Sequence, residues 1–187
     1  YVLSGITSIK NDVSVENDVE IGRNLNVTGV TTATTFKGEL VGAAVTTSSA
    51  GLQASDVDFA GLLREQVTVT AGKLSDNTNI NLADGMAHLF TTQETTTSTP
   101  NLRYNGSTTL NSKMAIGEAI SVTIITTAAS GGYSAQLTID GSAVTEKWNG
   151  GSAPSAGGSS GNDYYTYNII KTADATYTVL ANVSNFA

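Results

Sequence analysis

Residues 7–30 divide into four successive sixes, "TSIKND VSVEND VEIGRN LNVTGV", and each six carries an apolar or β-branched side chain at its first and third positions. The pairs are Thr7 and Ile9, Val13 and Val15, Val19 and Ile21, Leu25 and Val27; the preceding "YVLSGI" adds Tyr1 and Leu3. In an extended chain the first and third side chains share a face. The other residues of each six are turn formers, among them Asn11–Asp12, Asn17–Asp18 and Thr28–Gly29, so each six predicts one short strand and one corner.

Repetition at fixed spacing points to a stacked or wound β architecture whose single unit cannot bury its own apolar face. Five sixes are too few for a self-supporting single-chain β-helix. Several copies wound around a threefold axis repair this, because each buries its stitch against the others and neighbouring chains cover the open strand edges. The expected inter-chain seam is Val13, Val15, Val19, Ile21, Leu25 and Val27. The alternative use of the same residues is an amphipathic pair of strands in a monomeric sheet.

Composition excludes several function classes. Charged residues make up 13% of the 187, Gly numbers 19 and Lys plus Arg only 9, which suits strands and short turns rather than long helices. The chain has no Cys, so a disulfide framework or a thiolate metal site is excluded. A formal charge of −7 without a basic cluster argues against a nucleic-acid partner. No apolar run reaches the roughly 20 residues of a membrane helix, and none reads as a signal peptide, so no membrane insertion is expected. The sequence begins at Tyr1, already inside the repeat. That reads as a fragment of something longer.

Three regions follow. Residues 1–35 form the repetitive β shaft. Residues 36–65, "FKGELVGAAVTTSSAGLQASDVDFAGLLRE", are a Gly-, Ala- and Thr-rich junction, with Ser55 or Asp56 as a possible N-cap of one or two helical turns. Residues 66–187 alternate as a β domain does, in "QVTVTAGKL", "NINLAD", "MAHLFTT" and "EAISVTIITT". The clearest hairpin is "YSAQLTI", Asp140–Gly141, "SAVTEKW", because Asp-Gly suits a two-residue turn with positive φ at both positions. "YYTYNIIK" and "TYTVLANV", joined by "TADA", complete seven to nine strands. The predicted fold is all-β, a wound shaft followed by a β-sandwich, jelly-roll-like head.

Two stretches carry a resemblance. "VTGVTTATTFKGELVG" is similar to shaft segments of structural, tail fibre-like proteins from tailed phages of marine cyanobacteria and related marine bacteria, and "AVTEKWNGGSAPSAGGSSGNDYYTYNIIKTADATYTVLANVSNF" resembles a C-terminal domain that recurs at the ends of such virion proteins. The resemblance implies a homotrimeric fibre located in the virion, bound to other virion proteins through an upstream region, with a terminal head facing the host. It brings no catalytic residues with it.

Candidate chemistry is sparse. The one histidine, His88, sits in an alternating strand without a nucleophile elbow in the sequence, and reads as an ordinary strand residue. Asp58, Glu65, Glu94, Glu118, Asp140, Glu146 and Asp163 are scattered singly and read as solvated carboxylates rather than a glycosidase pair. Asp76, Asn77, Asn79 and Asp84 offer oxygen ligands, but lack the Gly and distal Glu of a helical calcium loop and read as a turn bonded by its own side chains. No catalytic residue, cofactor or metal is therefore assigned, and the protein reads as non-enzymatic.

The surface candidate is the glycine-rich stretch 149–163 with aromatic flanks. Long surface loops often carry function, and flat rings beside a polar loop suit a host glycan or protein. The candidate receptor contacts are Trp148, Asn149, Ser152, Pro154, Ser159, Asn162, Asp163 and Tyr164. Alternation puts Tyr165 and Tyr167 on one face and Tyr164 on the other. The expected role is the distal part of a trimeric phage tail fibre. A capsid-decorating head fibre, or a carbohydrate-binding module of a larger secreted protein, is the alternative.

Overall fold

The computed structural model describes residues 61–187. The 1–35 shaft with its six seam residues, and the junction up to residue 60, lie outside the described residues. Gly61–Gln66 carry no regular element.

Among the described residues ten strands fall into two sheets. The chain alternates between them: β1 (Val67–Thr70), β3 (Ala87–Gln93) and β5 (Ala119–Thr127) lie in one sheet, and β2 (Asn79–Asn81), β4 (Asn101–Arg103) and β6 (Thr138–Ile139) in the other. Because every return to a sheet arrives in the same direction, β1, β3 and β5 pair in parallel, as do β2, β4 and β6. The first sheet continues through antiparallel β9 (Asn162–Ala173) and β10 (Thr176–Phe186) to β8 (Glu146–Trp148), which runs parallel to β10. The second ends at β7 (Ser142–Ala143). The all-β expectation matches. The parallel ladders differ from the antiparallel Greek keys of a jelly roll, since consecutive strands from β1 to β6 change sheet instead of turning back beside one another.

Winding stacks like on like. Ile80, Leu102 and Ile139 lie side by side across β2, β4 and β6, all buried. Next to them the Asn101 amide donates to Asn79 Oδ1 at 2.8 Å and Thr138 Oγ1 donates to Asn101 Oδ1 at 3.0 Å, so the polar positions of successive coils satisfy one another. Arg103 Nε donates to Asn81 Oδ1 at 2.8 Å in the same way. The facing sheet contributes Phe90, Val122, Ile124, Tyr165, Tyr167, Ile169 and Val179 to one core. Burial pushes the Tyr165 phenol up to about 12, despite a hydrogen bond from the Ser134 backbone to its oxygen.

The Asp140–Gly141 turn has φ 50° and 81°, as its sequence requires. Its hairpin is shorter than expected: only Thr138–Ile139 and Ser142–Ala143 pair. Glu146 accepts the backbone N–H of Leu137, so a side chain takes a donor that a longer ladder would use, and Glu146–Trp148 crosses to the other sheet. The sequence also hides a four-residue helix, α1 (Leu110–Lys113). Asp140 accepts the N–H groups of Leu110 and Asn111 at 2.8 and 2.9 Å, and the buried Lys171 ammonium donates to the carbonyls of Asn111 and Met114 at 2.6 and 2.9 Å. Both helix ends are thus satisfied from distant strands.

Candidate functional site

The stretch 149–163 is a pinned loop rather than a free one. It opens with a turn at Asn149–Gly151 in which Gly150 and Gly151 adopt φ 77° and 84°, and it is held again at its middle. Gly157 donates to the Ser130 carbonyl at 3.0 Å, and a Cβ at Gly157 would run into the carbonyl oxygens of Ala129 and Gly132. Beside it, Gly158 N–H meets both oxygens of Asp163. Glycine is required here by close backbone approach.

This geometry sorts the eight candidate contacts. Asn149, Ser152, Ser159 and Asn162 are exposed, and Pro154 is half-buried. Trp148 is half-buried with its ring edge on Tyr167, centroids 6.1 Å apart at 74°, so it packs inward rather than offering a free platform. Tyr164 is half-buried against Phe186 at 6.0 Å and 82°. Asp163 is a correction: it is fully buried. Its position in β9 puts it on the inward face with Tyr165 and Tyr167, and its oxygens are taken by Gly158 and by Asn185 Nδ2 at 2.5 Å. It holds the loop and is withdrawn from the surface.

Beside the first lobe of the loop, on the outward face of the six-stranded sheet, lies a shallow groove of about 410 Å³. Leu180 is part of its lining, with Lys147, Asn149, Thr166, Asn168 and Asn182 around it. Asn149 Nδ2 donates to Asn182 Oδ1 at 3.2 Å, and Ser121 Oγ donates to Asn168 Oδ1 at 2.7 Å, which orients both amides. Amides, a hydroxyl and one ammonium around an aliphatic side chain suit hydrogen bonding to a hydroxyl-rich ligand. Trp148, which also lines the groove, and Asn149 were sequence candidates. The others sit at outward positions of three strands, and alternation alone does not show that those strands are neighbours.

Glu94 is buried, not solvated: its carboxylate accepts Ser75 N–H at 2.7 Å, Ser75 Oγ at 2.9 Å, Thr95 N–H at 3.0 Å, Thr96 N–H at 3.1 Å and Thr96 Oγ1 at 3.2 Å. Burial alone raises its pKa, yet the bonds from Ser75 and Thr96 together outweigh burial and hold it below the usual value. That suits an anchor of two chain segments. His88 is also buried and its Nε2 lies 3.0 Å from the Gly85 carbonyl; a carbonyl only accepts, so Nε2 carries the proton. Burial lowers its pKa, against the Gly85 bond and the nearby Asp84.

The oxygen-rich turn bonds within itself and its neighbours: Asn77 donates to the Lys73 carbonyl at 2.9 Å, Asn79 joins the ladder above, and Asn81 donates to Asp84 at 3.3 Å. Among the described residues no cluster of three His, Cys, Asp or Glu is arranged to hold a metal ion, and no helix is long and apolar enough to cross a membrane.

Comparison with protein-family models, with curated proteins and with solved structures finds no match.

Proposed function

We propose that this chain is a non-enzymatic virion structural protein, the distal part of a homotrimeric phage tail fibre whose C-terminal head contacts the host cell surface. The observation that carries the reading is the six-residue stitch of residues 7–30, followed in the sequence by a β domain. A stitch too short to stand in one chain calls for partner copies, with Val13, Val15, Val19, Ile21, Leu25 and Val27 forming the seam. The resemblance to fibre-like proteins of marine phages supports the same placement.

Recognition falls to the exposed part of the loop, Asn149, Ser152, Ser159 and Asn162, together with the adjoining groove. Three heads on one axis multiply weak contacts without new chemistry. The test is adsorption of the fluorescently labelled full chain to a panel of marine cyanobacterial strains. The reading expects strain-selective binding that Asn168→Ala with Asn182→Ala weakens. Uniform absence of binding on every strain, from a chain that is a trimer, limits the head to capping the fibre.

The amide-lined groove also favours a second reading, a carbohydrate-binding module. Retained polysaccharide binding by a chain with single-chain mass selects it, because such a module needs no inter-chain seam.

A further inference from the structure

The outward face of the six-stranded sheet is divided. Its β8–β10 side holds the polar groove, whereas an uncharged apolar row crosses its β1–β5 side, beside the outward Ser121, Thr123 and Thr127, and reaches the ends of β9 and β10: register sets Val69 beside Leu89, Leu89 beside Ile125 and Ile125 beside Tyr164, with Phe186 packed on Tyr164. Val67, Val69 and Phe186 are 42%, 63% and 58% exposed. Following the alternation across all six strands, the charged side chain on this outward face, among the described residues, is Lys147 at the far edge. A row of Val, Leu, Ile, Tyr and Phe without charge has the composition of an interface core.

The same half ends on an open edge. Among the described residues β1 is hydrogen-bonded on one side only. The other sheet edges are guarded: β8 carries Lys147, β2 presents Asn79 and Asn81, and β7 has two residues. Val67–Thr70, "VTVT", has no Lys, no Pro and no bulge, the usual devices that keep an edge from pairing.

We infer that the β1–β5 half of this face, including the open edge of β1, is where a second copy of this chain packs in the head. Charge selects the occupant. A cationic partner would be met by carboxylates and an anionic one by Lys or Arg, whereas copies of a chain with net charge −7 repel each other except across an uncharged surface. This rests on the self-assembly reading above and adds to it which surface of the head joins the copies, leaving the groove open to ligand.

Because the natural sequence has no Cys, a single thiol reports the face directly. The full chain carrying Val69→Cys is compared with the full chain carrying Ser107→Cys, at an exposed loop position away from the face, by native reaction with a bulky maleimide alongside mass by light scattering. The expected result is a multimeric mass with Val69→Cys reacting about tenfold or more slowly than Ser107→Cys, the separated state being a small minority. A multimer in which both thiols react equally fast overturns the inference and leaves the homotrimer reading standing. A single-chain mass overturns both. Val69→Asp, at a largely exposed position, gives a second check: it is expected to weaken assembly of the head without unfolding it, and unchanged assembly counts against the inference.

Discussion

The backbone N–H of Gly158 donates to both carboxylate oxygens of Asp163, at 3.0 and 3.1 Å, so that a buried acid fastens the middle of a loop whose sequence reads as free. The candidate recognition surface is therefore two short exposed lobes on a fixed mount.

Asp163→Asn is expected to destabilise the head by about 1–3 kcal/mol, since an amide nitrogen then confronts donors that need an acceptor. Trp148, the one tryptophan, reports head unfolding in urea by its fluorescence. An unchanged midpoint contradicts the pinned loop.

Two glycines in the same loop separate close approach from turn conformation. Gly157→Ala drives a Cβ into backbone carbonyls and is expected to cost about 1–3 kcal/mol or more. Gly150→Ala meets open space and only the positive φ opposes it, at about 1–2 kcal/mol. Urea midpoints should fall further for Gly157→Ala; the reverse order would place the constraint in the turn instead.

Much of this head is legible in its sequence, and the failures share a cause. Asp140–Gly141, the β9–β10 hairpin and the shared face of Tyr165 and Tyr167 follow from local turn chemistry and alternation; that this face is the inward one does not. The parallel ladders do not, because Val67 meets Ala87, and Ala87 meets Thr123, only after the chain has visited the other sheet. Glu94 and Asp163 read as solvated for a related reason: part of what satisfies them, Ser75 and Asn185, lies far along the chain. Strand β4 is three residues between Pro100 and Tyr104, too short to show alternation. Of the groove, Trp148 and Asn149 belong to a stretch with a compositional signal.

Glu94 makes the acid side of stability testable. Its folded pKa lies below the unfolded value of 4.5, so its stabilisation is present above about pH 4.5 and is lost as pH falls through the folded pKa. Glu94→Gln is expected to lower stability at neutral pH and to flatten the decline of stability as pH falls below about 4.5. An equally steep decline in the variant would show that Glu94 does not carry it.

His88 offers a second titration, unambiguous because the chain has one histidine. Burial holds its folded pKa below 6.5, so the unfolded chain binds the proton more readily and stability is lost as pH falls below about 6.5. The ring resonances in NMR should titrate below that value, and titration at or above 6.5 would place the ring in water or beside a stronger acid.

The most direct test of the central claim is the mass of the full chain in solution by light scattering across a concentration series. The account predicts a stable species of three times the 19.2 kDa chain mass, with Val15→Asp and Val19→Asp in the stitch reducing it. A single-chain mass at every concentration would contradict the fibre reading and return the six-residue stitch to a fold within one chain.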